Sequence, residues 1–147
     1  MAQKKRIIVI GGSAAGPKSA AKARRIDNDA EVIILQKEAD LSMASCGYPY
    51  YVGGYFDDRN ALLCTPTGVV RNPLFYLNAK DIDARVNTEV TNINTKDHSV
   101  SFTNAVSGET GTLTYDKLII ATGAVPRMPP VPGTDFDGIT TLQSMKD

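Results

Sequence analysis

The hydrophobic positions of this chain change period along its length. "RIIVI", Arg6 to Ile10, is an unbroken, β-branched apolar run. A strand buried on both faces of a parallel sheet reads this way. "GGSAAG", Gly11 to Gly16, follows it, and then "PKSAAKARRI", Pro17 to Ile26, whose alanines and basic residues favour helix. "DNDA" ends that helix, and "EVIILQK", Glu31 to Lys37, is a second buried run. Together these make a βαβ unit of about 30 residues with a glycine turn between strand and helix. "CGYPYYVGG" predicts a helical turn or two before the break at Gly53 and Gly54. "TPTGVVRNP" opens like a capped helix at Thr65-Pro66, weakened by Gly68 and two valines. From about Ile82 the period falls to two. "IDARV", "EVTNIN", "SVSFTN" and "GTLTYDKLIIATG" read as short strands parted by "TKDH" and "AVSGE". Within the last, "KLIIA" is again a buried, parallel-type run. The pattern therefore predicts an α/β fold with a parallel sheet and an inserted three-stranded antiparallel meander at about residues 82–116. "VPRMPPVPG" has four prolines in nine residues and reads as extended linker. No segment repeats.

Composition narrows the function classes. The length of 147 residues suits one domain, and an apolar fraction of 42% supports a core. Sixteen basic and sixteen acidic residues cancel, so no net field draws the protein to nucleic acid or to a membrane surface. The apolar run at the start is too short and too glycine-broken for a signal peptide or a span. Two cysteines do not make a disulfide framework, so a reducing cytoplasm is the default setting. With no CxxC and a single histidine, His98, no metal site is expected.

The glycine turn carries the first candidate chemistry. Glycines let backbone approach a dinucleotide pyrophosphate, and the helix N-terminus offers free N–H groups with a partial positive charge. Gly11 and Gly16 hold the first and third positions of a GxGxxG-like pattern, Ser13 holds the second, and Gly12 is displaced by one. Gly11, Gly12, Ala15 and Gly16 are the candidate contacts. The usual acid at the end of the second strand, which would bind the adenosine ribose, is replaced by Gln36. An amide still bonds a hydroxyl but brings no charge. A weakened ribose contact is expected, with help from Lys37 or Glu38.

The second candidate is Cys46, in "DLSMASCGYPYYVGG". An inert, buried thiol is the commoner fate of a lone cysteine. At this point the motifs match a family. "VIGGSAAG", "AAKARRIDNDA", "LSMASCGYPYYVGG" and "LIIATGAVPRMPPVPG" resemble, in that order, the FAD- and pyridine nucleotide-dependent disulfide oxidoreductases. The resemblance is strongest to the branch with one redox cysteine, the coenzyme A-disulfide reductase type. It implies a Rossmann-like FAD-binding domain, with the amino-terminal segment of that domain over residues 1–147. Residues 124–147 would lead toward an NAD(P)H domain that is absent here, as is the family's dimerisation domain. The resemblance implies FAD as cofactor, with NAD(P)H acting through the absent domain. Ala121, Thr122 and Gly123 would make the second FAD contact, with Val90 nearby. A homodimer is expected at full length, and the 147 residues alone are expected to have no turnover.

The thiol's chemistry follows from its surroundings in the chain. Where two-cysteine relatives have CxxxxC, this chain has Leu41, and the pattern is Ser42-x-x-x-Cys46. Ser42 and Cys46 are therefore the candidate catalytic pair. A lone thiol must cycle with an external sulfur, as a mixed disulfide, a persulfide or a sulfenic acid. The candidate substrate is a small-molecule disulfide, coenzyme A disulfide or a persulfide or polysulfide. Lys18, Lys22 and Arg25 fall on one face of the first helix and could hold coenzyme A phosphates, although a solvated helix face explains the same stripe. Ser45 is a candidate donor to substrate. The related NADH oxidases and peroxidases carry a catalytic histidine in the glycine turn, where this chain has Ala14. That disfavours peroxide chemistry, but an NADH oxidase or peroxidase type and a bare FAD-binding module remain as alternatives.

Overall fold

β1 (Arg6–Ile10) and β2 (Glu31–Leu35) lie side by side and parallel, with Ile8 opposite Ile33 and Ile10 opposite Leu35. Their unbroken apolar runs require cover on both faces, and the computed structural model, which describes residues 4–145, supplies it. Val9, Val32 and Ile34 face one way, with Ala20 of α1 (Ala15–Ile26) and with Tyr76. Ile8, Ile10, Ile33 and Leu35 face the other, with Val100 and the partly buried Leu113 and Tyr115. Alternate residues of the same two strands thus build two separate cores.

The remaining elements are α2 (Tyr48–Val52), α3 (Pro73–Lys80), β3 (Asp83–Arg85), β4 (Thr88–Asn94), β5 (Ser99–Asn104), β6 (Thr110–Thr114) and β7 (Lys117–Ile120). The main sheet is parallel, in the order β3-β2-β1-β7. β4, β5 and β6 form a separate antiparallel sheet in sequence order. The α/β class and the inserted three-stranded meander expected from the pattern are both present. The first three residues, and the last two of the expected 124–147 linker, lie outside the described residues.

Three details differ from the sequence expectation. "IDARV" is not part of the meander: β3 pairs in parallel with β2, Ala84 opposite Ile34. A parallel neighbour needs a crossover, and α3 provides it, so the insertion is 88–114 rather than about 82–116. The helix expected at Thr65-Pro66 is instead a tight turn: Gly68 has φ +82°, the Val69 carbonyl accepts from the Thr65 N–H, and Cys64 bridges antiparallel to Val70. The helix begins at Pro73 and is capped by Asn72, whose side chain accepts from the Phe75 N–H at 2.9 Å. That is the same cap-and-proline signal, displaced along the chain. Finally, β7 is parallel to β1 but not buried. It is an outer strand of that sheet among the described residues, as β3 is at the other edge, and Ile120 is 62% exposed.

Candidate cofactor and thiol site

A cavity of about 440 Å³ opens at the carboxyl ends of β1 and β7. Ligands of open parallel sheets collect at such strand ends. The glycine turn contributes Gly11, Gly12 and Ser13 to its wall, and Gln36 follows from the end of β2. Ser45, Cys46 and Tyr48 come from the thiol segment, Ala121, Thr122 and Gly123 from beyond β7. No Asp, Glu, Lys or Arg lines it among the described residues.

The turn is built by close backbone approach. Gly11 has φ +104°, and a Cβ there would stand 2.2 Å from the Ala121 carbonyl oxygen. A Cβ on Gly16 would stand 1.8 Å from the Gly11 carbonyl oxygen. The start of α1 therefore rests directly on the turn, and the turn rests on the segment after β7. Gly16 is buried beneath the site, and Ala15 is exposed on the first helical turn. Neither of these two expected contacts lines the cavity. The N-cap, Ala14, makes no side-chain bond, and no acid occupies the first turn of α1. Its leading N–H groups are thus left for an anion. A diphosphate fits this arrangement, because backbone dipoles rather than basic side chains would meet it.

The thiol shares the cavity lining with this turn. Cys46 sits in a single 3-10 turn, Ser45–Gly47, that leads into α2, as expected for "CGYPYYVGG". Its thiol is free and exposed. The segment is held from below by a small core of Met43, Tyr48, Leu62 and Leu63, and by the Ala44 N–H donating to the Leu62 carbonyl at 2.9 Å. Ser45 shares the wall with Cys46, but Ser42 does not. Ser42 takes a left-handed conformation, φ +56°, and its N–H donates to the Gly12 carbonyl at 2.7 Å. Cys64 is half-buried and also free, and does not line the cavity.

Other expected residues lie further out. Val90 lines a neighbouring hollow of about 330 Å³, with Thr91, Asn92 and Ile120; Thr122 borders both spaces. Lys37 is exposed and ion-paired to Glu89 at 2.9 Å. The hydrogen bond and charge of Glu89 raise its pKa above the ordinary 10.5. Lys37 is turned to β4, not to the cavity wall. Lys18, Lys22 and Arg25 are all exposed along α1, outside the cavity lining. His98, in the turn before β5, stacks on Tyr115 with ring centroids 5.6 Å apart. Among the described residues no group of His, Cys, Asp and Glu is arranged to hold a metal ion.

Sequence reasoning missed Tyr48 and the return of the chain's end. Leu142 and Gln143 line the cavity, the Gln143 amide donates to the Ala124 carbonyl at 2.8 Å, and Met145 packs on the core beneath Cys46. The stretch read as linker therefore folds back on the site. The spacing of Leu142 and Met145, apolar and three apart, was the available signal.

A parallel sheet with a glycine turn, an uncapped helix start and a cavity thiol is a Rossmann-like arrangement. The chain belongs to the pyridine nucleotide-disulphide oxidoreductase family, whose sequence model matches residues 5–147. It is 36% identical over 143 residues to the coenzyme A disulfide reductase of Staphylococcus haemolyticus, matching 97% of this chain and 30% of that protein. It is 30% identical over 145 residues to an NADH oxidase of Methanocaldococcus jannaschii, again across 97% of this chain and 30% of the relative. The structure of a NAD-dependent persulfide reductase from A. fulgidus superposes with a TM-score of 0.87 at 38% identity, over 96% of this chain and 26% of that one. The chain thus spans under a third of the length of these relatives. No helix among the described residues is long and apolar enough to cross a membrane.

Proposed function

We propose that this chain is the FAD-binding and thiol-bearing part of an enzyme that reduces a small-molecule disulfide or persulfide at Cys46, drawing on NAD(P)H through a further domain. The observation that carries this reading is that Cys46 is the one thiol among the described residues to share a cavity wall with the glycine turn and with Ala121–Gly123. Bound FAD would supply a two-electron carrier between a nicotinamide and that thiol. The open start of α1 would hold its diphosphate, with Gly11 and Gly12 allowing close approach while their own N–H groups donate to the Leu35 carbonyl and to Gln36. Ala121, Thr122 and Gly123 add the wall beside the turn, with Val90 beyond Thr122.

The chain's own chemistry is thiol exchange. The Cys46 thiolate attacks one sulfur of the substrate, a mixed disulfide forms, and the other sulfur leaves as a thiolate. Two electrons then cleave the mixed disulfide, releasing the second thiolate and restoring Cys46. Ser45 donates a hydrogen bond to the departing sulfur or to the substrate. Ser42 acts through the backbone, by tying its segment to the turn. For a coenzyme A disulfide, Lys18, Lys22 and Arg25 are the residues for its phosphates, and a homodimer is the assembly expected of the whole enzyme.

NADH oxidase chemistry is the second reading, supported by the identity to the M. jannaschii protein. Against it stands Ala14, an apolar residue in the turn, and the engagement of His98 with Tyr115 on the meander. One substitution separates these readings. Cys46→Ser in the whole enzyme is expected to abolish disulfide reduction while FAD stays bound, as read by the flavin absorbance of the purified protein. Undiminished disulfide reduction would remove Cys46 from its role.

A further inference from the structure

Gln36 stands where several segments meet. Its backbone N–H donates to the Arg85 carbonyl at 2.9 Å, and its carbonyl accepts from the Thr88 N–H at 2.8 Å. Its side chain, 7% exposed, reaches two more backbone groups. Oε1 accepts from the Gly12 N–H at 2.7 Å, and Nε2 donates to the Asp40 carbonyl at 3.1 Å. A peptide N–H can only donate and a carbonyl can only accept, so these partners dictate which way the amide faces. The turn also rests on the Gln36 stem: a Cβ on Gly12 would stand 2.8 Å from the Gln36 Cβ. The other half of Gly12 is tied as well, since its carbonyl accepts from Ser42. Both polar groups of Gly12 thus bind the segment that runs on to Ser45 and Cys46.

We infer that Gln36 is a positioning residue whose amide locks the glycine turn to the Cys46 segment, at the expense of a charged contact to the cofactor's ribose. This deepens the flavin reading above and rests on it only where FAD is concerned. The amide oxygen has two acceptor sites, and Gly12 occupies one. One neutral site is left for a ligand hydroxyl. A carboxylate in the same place would offer more charge to the hydroxyls, but its second oxygen would face the Asp40 carbonyl, acceptor against acceptor. The charged side chains around it have partners of their own: Lys37 with Glu89, Asp40 with Arg59, and Arg85 with Asp83.

The test uses Gln36→Glu and Gln36→Met in the 147-residue chain, at about pH 5 and about pH 8. Hydrogen exchange at the Ser42 N–H is read without flavin, and the FAD dissociation constant by flavin fluorescence. In Gln36→Glu, exchange is expected to be about tenfold faster than in the unmutated chain at the higher pH. At the lower pH that gap closes, because burial and the facing carbonyl favour a protonated carboxyl, which donates as the amide does. FAD binding weakens and recovers over the same range. Gln36→Met is expected to be equally impaired at both pH values. Unchanged Ser42 exchange in Gln36→Glu at the higher pH overturns the inference, and so does a loss in that variant that ignores pH. If either variant does not fold, the unmutated chain decides. Its Gly12 N–H and Gln36 side-chain amide should exchange slowly, and free-peptide rates would overturn the inference. The exchange readings contain no flavin, so a chain that passes them but binds no FAD removes the flavin reading alone.

Discussion

Gly16 has no room for even one carbon. A Cβ there would lie 1.8 Å from the Gly11 carbonyl oxygen, which is backbone and cannot swing aside. Gly16→Ala must push α1 off the turn. It is expected to cost about 1–3 kcal/mol, as overpacking does, read from the urea midpoint. FAD binding should be lost with it. The need for glycine there was legible from the strand–turn–helix context alone, as was Cys46 from its motif. Gln36 was legible as the uncharged residue at the end of β2, and it lines the cavity, but its partners Gly12 and Asp40 are reached only by chain folding. Ser42 has a left-handed backbone and does not line the cavity with Cys46, which its place in the motif did not foretell.

Helix α3 depends on a cap. Asn72→Ala removes the acceptor for the Phe75 N–H and should cost about 1 kcal/mol, measured by denaturant unfolding. The true helix was passed over for Thr65-Pro66 because both stretches carry a polar cap and a proline. Local signals do not rank them; the antiparallel bridge of Cys64 to Val70 does, by closing the first into a turn. Between β2 and β4, the Lys37–Glu89 pair ties the main sheet to the meander at its exposed surface. Because the folded-state pKa of Lys37 is raised above 10.5, its stabilisation is complete below that value and is lost as pH rises through the higher one. Glu89→Gln should lower the Lys37 titration midpoint, followed by NMR of its side chain. A midpoint that does not fall would break the pair.

The cavity and the basic stripe of α1 lie on different surfaces of the domain. The cavity wall is uncharged among the described residues, while Lys18, Lys22 and Arg25 stand exposed on α1. In the whole enzyme, Lys22→Glu is expected to raise KM for coenzyme A disulfide several-fold more than for a small uncharged disulfide. Exposed charge pairs are worth up to about 1 kcal/mol each, which limits the effect of one residue to roughly fivefold to tenfold. Equal changes for both substrates would take the stripe out of phosphate binding.

The amino-acid order by itself determined the βαβ unit, the glycine turn and the meander, and it marked out Cys46. Each is written in local periodicity or in a short motif whose residues touch one another in sequence. Only the tertiary structure decided that β3 joins the parallel sheet, that Gln36 is a strut, and that Leu142 and Gln143 return to the cavity. Those outcomes rest on contacts between residues far apart in the chain. Strand neighbours, amide partners and returning tails are chosen by which buried polar and apolar groups remain to be satisfied once the core has closed.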